Sequence, residues 1–217
     1  EKRVGIATLG CKVNQYESAA LAGSFQTRGY KIVDFDDMAD LYVVNTCTVT
    51  HLGDRKSRQL IRRAIKKNPR ALIVVTGCYA QTAAGEITEI PGVDLVVGTR
   101  DRLKIVDLVE NAIKGATPRV VVSDYQEGDE FADSSSLPVS ERVRAFLKIQ
   151  EGCNNCCTYC IVPKARGPQR SRRPEQVLQA AEQLVAAGYQ EIVLTGIHTG
   201  SYGQDLSGQP TLAELLT

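Results

Sequence analysis

The feature that most constrains the fold of this chain is the alternation of short apolar runs with segments of helical periodicity. The apolar runs are VGIATLG (4–10), LYVVNTC (41–47), ALIVVTGC (71–78) and VDLVVG (93–98). The segments with helical periodicity cover residues 16–29, 54–67 and 102–113. Because parallel strands must be joined by a crossover, usually a helix, this alternation predicts an α/β fold with a parallel sheet. PRVVVSD (118–124) is expected to add an edge strand.

A second structural unit is predicted near the end of the chain. Residues 123–140 are acidic and rich in Ser and turn residues, which is typical of a linker. Residues 1–122 would then form an N-terminal domain, and residues 141–217 would begin another. The second unit is predicted to be a βαβ arrangement of a strand (144–153), a helix (174–188) and a strand (191–196).

The length and charge of the chain limit its classes of function. Its 217 residues suffice for two ordinary domains, and its net charge of +1 gives no overall attraction for nucleic acid. No apolar run is long enough to cross a membrane, and the start does not resemble a secretion signal, so we expect a cytoplasmic protein with reduced thiols. The chain begins at Glu1 without Met and stops in TLAELLT, which predicts part of a longer protein.

Three of the seven cysteines occupy equivalent positions, each just after an apolar run. Cys11, Cys47 and Cys78 close the segments TLGC, VNTC and VTGC. Because the carboxyl ends of parallel strands share one edge of a sheet, these thiols are predicted to converge there. Three thiolates suit an iron–sulfur cluster with one open iron, or a zinc ion with an exogenous fourth ligand. The alternative is three buried residues that act as small apolar side chains.

The other four cysteines lie within eight positions, in EGCNNCCTYCIVPKARG (151–167). Two abutting pairs, Cys153-x-x-Cys156 and Cys157-x-x-Cys160, would suggest zinc, but pairs in zinc sites are separated by about a dozen residues or more. The other interpretation is Cys153-x-x-x-Cys157-x-x-Cys160, in which Cys156 is not a ligand. Three thiolates would again leave one iron of a 4Fe–4S cluster open.

The second spacing, which follows a strand and has Tyr159 before the last cysteine, resembles that of the radical S-adenosylmethionine enzymes. Along its whole length the chain resembles their methylthiotransferase family, in the segments TLGCKVNQYES, VVNTCTVT, VVTGCYAQ, VVGTRDR, CCTYCIVPKARG and LTGIHTGSYG. GCKVNQYES, CTVTHLGDRKSRQ and TGIHTGSYG are most similar to the branch that acts on threonylcarbamoyladenosine in tRNA. The resemblance implies that the second domain begins an incomplete (β/α)6 barrel.

The resemblance also implies two 4Fe–4S clusters with separate tasks. The cluster that binds S-adenosylmethionine and generates the radical would be held by Cys153, Cys157 and Cys160. The auxiliary cluster, which carries the sulfur to be inserted, would be held by Cys11, Cys47 and Cys78. The product would be the 2-methylthio derivative of N6-threonylcarbamoyladenosine 37, with the methyl group supplied by a further S-adenosylmethionine. The implied partners are the anticodon loop of tRNA, an electron donor such as a flavodoxin or ferredoxin, and a sulfur donor, with no membrane.

Further residues are expected at this site by position. The expected contacts to S-adenosylmethionine are Tyr159, Thr195, Gly196, His198 and Thr199. The basic run after the cysteines suggests contacts to tRNA phosphates or to the cofactor carboxylate, made by Arg166, Arg170 and Arg172. The alternatives are a solvated loop for the arginines and a hydrogen-bonded structural role for His198.

Two other functions remain open on the sequence. One is the same chemistry on isopentenyladenosine in tRNA or on a ribosomal protein. The other is a non-catalytic iron–sulfur or zinc-binding module, such as one for electron transfer. Because the family continues through the rest of the barrel and a small RNA-binding β domain, we expect this chain alone to be inactive.

Overall fold

The N-terminal domain is built on a six-stranded sheet in which every neighbouring pair of strands is parallel. The computed structural model describes residues 1–132 and 143–217. The strands are β1 (Arg3–Thr8), β2 (Lys31–Val33), β3 (Leu41–Thr46), β4 (Leu72–Gly77), β5 (Leu95–Val97) and β6 (Arg119–Val121). Their order is β2-β1-β3-β4-β5-β6. The predicted parallel α/β fold and its edge strand are therefore confirmed, whereas β2, a three-residue strand, was missed.

Helices cover both faces of this sheet. They are α1 (Lys12–Thr27), α2 (His51–Lys67), α3 (Cys78–Thr82), α4 (Ala84–Thr88) and α5 (Ile105–Glu110). Side chains alternate along β3, so that Tyr42 and Val44 pack with the α2 residue Ile61, while Val43 packs with Phe25 of α1 on the opposite face. Strands buried on both faces read as continuous apolar runs, which is the pattern in the sequence.

Two helices begin earlier than the periodicity predicts. Each starts within a few residues after a cysteine, Cys11 for α1 and Cys47 for α2. α1 begins at Lys12 with Cys11 as its N-cap residue, rather than near residue 16. α2 begins at His51, where the side chain of Thr50 accepts a hydrogen bond from the backbone N–H of Gly53 at 3.1 Å. Short connections of this kind hold the cysteines close to the edge of the sheet.

The second unit contains the predicted βαβ arrangement. Its elements are β7 (Arg144–Lys148), β8 (Gln150–Glu151), α6 (Val162–Arg166), β9 (Arg170–Ser171), α7 (Pro174–Ala186), β10 (Glu191–Thr195) and α8 (Leu212–Leu215). β7 and β10 are parallel, with Lys148 opposite Thr195. The predicted strand 144–153 is interrupted after Lys148, because β8 turns away to pair antiparallel with β9.

The two units pack against each other through α1, α3 and α6. Tyr16 of α1 joins the apolar cluster that contains Leu147 and Ile149 of the second unit. Residues 123–132 of the predicted linker contain no helix or strand and contact both units. Ser123 N–H donates to Asp101 at 2.8 Å, and the Arg170 guanidinium lies 4.4 Å from the centre of the Tyr125 ring. The remainder of that linker, 133–140, is outside the described residues. In the part of the chain that the structure describes, no helix is long and apolar enough to span a membrane.

Candidate functional site

The first three cysteines lie at one edge of the N-terminal sheet. They follow β1, β3 and β4, which are adjacent in the sheet, and Thr46 is opposite Gly77 in the register. Cys47 and Cys78 come directly after their strands, and Cys11 comes three residues after β1. The three cysteines therefore follow the carboxyl ends of three adjacent strands, the arrangement from which their convergence was predicted. The role of the three thiols as ligands stays a prediction.

Glycine lets the backbone carry these cysteines close together. Gly10 has φ +103°, and a Cβ atom there would lie 3.1 Å from the Sγ of Cys47. Gly77 has φ +95°, and a Cβ atom would overlap the carbonyl oxygen of Thr46. Both positions therefore require glycine. The loop that carries Cys11 is in contact with Cys47 for this reason.

The three thiols are graded in exposure, from Cys11, which is exposed, through Cys47 to Cys78, which is buried. Burial raises the pKa of the Cys78 thiol, Arg166 opposes this effect, and Cys11 lies near enough to raise it further. Within residues 1–132 and 143–217, no three His, Cys, Asp or Glu side chains are gathered tightly enough for a single metal ion. Three thiolates can bind three different irons of a four-iron cluster, or a single zinc ion with an exogenous fourth ligand.

The remaining four cysteines lie in a loop, residues 152–160, that contains no helix or strand and that we call the cysteine loop. The loop is anchored where the backbone N–H of Cys153 donates to the carbonyl oxygen of Gly167 at 3.1 Å. Cys157 and Cys160 are brought together by a turn in which Cys160 N–H donates to the Cys157 carbonyl at 3.0 Å. Cys156 is exposed on this loop. The assignment of three ligands and one bystander stays a prediction.

Gln150 connects the cysteine loop to the end of β10. Its Oε1 accepts hydrogen bonds from the backbone N–H groups of Ile197 and His198, at 2.9 and 2.8 Å. Its Nε2 donates to the carbonyl oxygen of Gly152 at 2.8 Å. A Cβ atom on Gly196 would lie 2.9 Å from Gln150 Oε1, so glycine is needed there for close packing. Gln150 was not among the predicted site residues. An amide inside the apolar run that leads into the cysteines was a usable signal, and the structure shows that this side chain is buried.

The predicted cofactor contacts are only partly gathered. His198 is exposed and lines an open polar recess beside the cysteine loop, together with Asn154, Asn155, Gln169, Ser201, Gln204 and Asp205. Thr195 is buried, and its carbonyl accepts from Ile149 N–H at 2.9 Å. Thr199 begins a short 3-10 turn over Thr199–Ser201. Tyr159 is 89% exposed and lies outside the residues that line the recess.

The predicted RNA contacts of Arg166, Arg170 and Arg172 conflict with the structure, because all three side chains are buried. Arg166 is 1% exposed and donates to both carboxylate oxygens of Glu17, at 2.8 and 2.9 Å. Arg170 donates to Glu151 at 3.1 Å. Neither a contact with tRNA phosphates nor a solvated loop fits three buried guanidinium groups, two of which are paired with buried carboxylates.

Arg166 and Arg170 belong to a buried ion network at the junction of the two units. Its members are Glu17, Arg102, Lys148, Glu151, Arg166 and Arg170. Lys148 Nζ lies 2.7 Å from Glu151 and 3.1 Å from Glu17. Burial alone would raise the pKa of Glu17, but Arg166 and Lys148 hold that pKa well below its usual value. Burial would likewise raise the pKa of Glu151, but Arg102 and Lys148 hold it well below its usual value. Both carboxylates are therefore ionised.

Two family models match separate parts of the chain. Residues 3–98 match the model described as uncharacterized protein family UPF0004, and residues 147–210 match the radical SAM superfamily. The threonylcarbamoyladenosine tRNA methylthiotransferase MtaB of Bacillus subtilis (strain 168) is 55% identical over 203 residues, which are 94% of this chain and 45% of that protein. The chain belongs to the radical S-adenosylmethionine methylthiotransferase family.

Relatives with other substrates in their names match this chain over a similar length. The tRNA-2-methylthio-N(6)-dimethylallyladenosine synthase of Carboxydothermus hydrogenoformans is 35% identical over 222 residues, covering all of this chain and 50% of that protein. The chain thus spans about half the length of the curated relatives it matches.

A solved structure supports the fold. The radical S-adenosylmethionine methyltransferase TsrM from Kitasatospora setae, with tryptophan and an S-adenosylmethionine analogue bound, superimposes with a TM-score of 0.58 at 15% identity. The match covers 97% of this chain and 50% of TsrM. At this identity the likeness concerns the fold, and it agrees with an α/β chain in two units.

Proposed function

We propose that this chain is part of an enzyme that converts N6-threonylcarbamoyladenosine 37 of tRNA to its 2-methylthio derivative. The observation that carries the proposal is that the helices adjoining the two cysteine groups pack against each other. Cys78 opens α3, which packs against α6, the helix that follows the cysteine loop. Such an arrangement suits a reaction in which one site generates a radical and a neighbouring site supplies sulfur.

The residues fit two 4Fe–4S clusters. Cys11, Cys47 and Cys78, which we call the auxiliary site, would hold one cluster, and Gly10 and Gly77 let the backbone carry these cysteines to one edge of the sheet. Cys153, Cys157 and Cys160 would hold the other cluster in the cysteine loop. When bound, the clusters and S-adenosylmethionine supply the electron transfer, radical and sulfur-transfer chemistry.

The polypeptide would position the cofactor through the elements around the cysteine loop. The recess lined by His198, Gln169 and Asp205 offers hydrogen-bonding groups of the kind that bind an amino-acid moiety. Gln150 would hold the loop after β10 at a fixed position relative to the cysteine loop, through its hydrogen bonds to Ile197, His198 and Gly152. Thr195, Gly196, Thr199 and Tyr159 remain proposed contacts by position in the sequence.

The substrate branch is proposed from the relatives. The higher identity is to a threonylcarbamoyladenosine enzyme, at 55%, against 35% for the dimethylallyladenosine enzyme. The same chemistry on isopentenyladenosine in tRNA or on a ribosomal protein is the second candidate. We further infer that the βαβ unit of β7, α7 and β10 is the first part of an incomplete (β/α)6 barrel. We also propose that the enzyme acts in the cytoplasm and requires an electron donor and a sulfur donor.

The substrate is tested in a bacterial strain that lacks its own enzymes of this family. The full-length protein is expressed there, and tRNA nucleosides are analysed by mass spectrometry. Formation of 2-methylthio-threonylcarbamoyladenosine supports the proposal, whereas exclusive formation of the isopentenyladenosine product assigns the second candidate. No methylthio nucleoside at all, despite soluble protein, contradicts the tRNA reaction.

The cofactors are tested separately by anaerobic reconstitution of the purified full-length protein. Two 4Fe–4S clusters require about eight irons and about eight sulfides per chain. Stoichiometric zinc without iron would refute the clusters and leave a zinc-binding module as the function.

A further inference from the structure

Arg166 reaches from the second unit into the auxiliary site. It belongs to α6, directly after the cysteine loop, yet it donates to Asn14 Oδ1 at 2.6 Å and to Glu17, both on α1. α1 is the helix that starts immediately after Cys11. Asn14 Oδ1 also accepts from the Cys11 thiol at 3.9 Å, and α6 packs against α3, the helix that begins at Cys78. The Arg166 guanidinium therefore lies between elements that carry two of the three cysteines of the auxiliary site.

The buried ion network around Arg166 contains more positive than negative charge. Its ion pairs among the described residues join four cations to two carboxylates, Glu17 and Glu151. Burial lowers the pKa of Lys148, and the neighbouring Arg102 lowers it further. Among the described residues, no third carboxylate forms an ion pair with these four cations. An anion at the auxiliary site would therefore reduce the cost of burying them.

One donor of Arg166 is also without an acceptor. Its two terminal nitrogens bond to Glu17 and Asn14, but Nε is buried and has no hydrogen-bond partner within the described ranges 1–132 and 143–217. A buried N–H without an acceptor is unfavourable, and such groups usually face a missing water, ion or ligand. The sulfides and thiolates of an iron–sulfur cluster are anionic acceptors, and hydrogen bonds to the sulfurs help to set the reduction potential.

We propose that Arg166 is a positioning residue that donates Nε–H to the anionic, sulfide-bearing group held by Cys11, Cys47 and Cys78, and balances its charge. This inference rests on the proposed function, because it requires an auxiliary cluster. Since α6 continues from the cysteine loop, the same side chain would fix the distance between the two cluster sites. Glu17 would hold the guanidinium plane in place through its two hydrogen bonds.

The test uses the full-length protein in which Cys153, Cys157 and Cys160 are all replaced by Ala, so that only the auxiliary cluster forms. After anaerobic reconstitution, two quantities are measured: the rate of iron loss to a chelator and the midpoint potential of the cluster. We expect Arg166→Gln to weaken iron retention by about 10–100-fold. We also expect a lower midpoint potential, because a nearby positive charge favours the reduced cluster. Arg166→Lys keeps the charge and should return the potential toward that of the parent.

The matched control is Arg170→Gln, because Arg170 is equally buried but bonds to Glu151. Equal losses in Arg166→Gln and Arg170→Gln would indicate a general structural effect and overturn the proposal. If Arg166→Gln does not fold, as judged by circular dichroism, Glu17→Gln combined with Arg166→Gln removes both charges and carries the same test. A parent that binds no cluster refutes the proposed function itself, whereas a parent cluster unaffected by Arg166→Gln refutes only the role of Arg166.

Discussion

Glu17→Gln is the most direct test of the buried ion network. Glu17 lies on α1 and accepts hydrogen bonds from Arg166 at 2.8 and 2.9 Å and from Lys148 at 3.1 Å, and both cations are 1% exposed. The amide removes the negative charge but keeps the size of the side chain. Breaking a buried ion pair from one side costs about 3–5 kcal/mol, because the remaining charge stays buried without a counterion. We expect a loss of this size in the free energy of unfolding.

The assay is urea unfolding of the full-length protein without clusters, followed by circular dichroism. With a slope of about 2 kcal/mol per molar urea, the expected loss lowers the midpoint by about 1.5–2.5 M. The control is Arg144→Gln, which breaks a 2.7 Å pair with Glu191 whose partners are 57% and 51% exposed. Exposed pairs contribute about 1 kcal/mol or less. Midpoints that fall equally in the two variants would refute the argument that burial makes the network costly to break.

Three further predictions concern the pH dependence of stability, the cluster ligands and Gln150. Because ionisation of Glu17 and Glu151 is favoured in the folded state, their stabilisation is complete above about pH 5 and is lost as the pH falls; urea midpoints between pH 7 and pH 3 should decline less steeply in Glu17→Gln. Cys157→Ala should lower reconstituted iron from about eight to about four per chain, while Cys156→Phe should leave it unchanged, and iron loss in the second variant would overturn the ligand assignment. Gln150→Leu removes bonds to four backbone groups and should weaken S-adenosylmethionine binding in titration calorimetry; unchanged affinity would contradict its positioning role.

Much of the N-terminal domain was predictable because its information is local. The apolar runs at 41–47 and 71–78 form β3 and β4, and the cysteine at the end of each run is the first residue after the strand. Once strands are parallel and adjacent, their carboxyl ends must share an edge, so the convergence of Cys47 and Cys78 required no further structural information. Pro174 and Gly188 likewise mark the start and end of α7 by their backbone preferences alone.

The main error concerned the basic run after the cysteines. A sequence of closely spaced arginines is typical of a solvated or RNA-binding surface, and nothing local distinguishes that pattern from a buried one. The partner of Arg166 is Glu17, 149 positions away, and Lys148 meets the same carboxylate across 131 positions. The one local signal was a pair of charges, Lys148 and Glu151, inside an otherwise apolar strand segment.

The parallel sheet, the ends of its strands and therefore the edge that carries three cysteines could be predicted from local patterns, because strand and helix periodicities are properties of consecutive residues. Three features came only from the packing of distant segments: Arg166 is buried, Gln150 joins two loops, and α6, which follows the cysteine loop, packs against α3. These features depend on which surfaces of the two units pack together. Burial then converts ordinary surface charges into a strongly coupled network, because ions that leave water must find partners nearby.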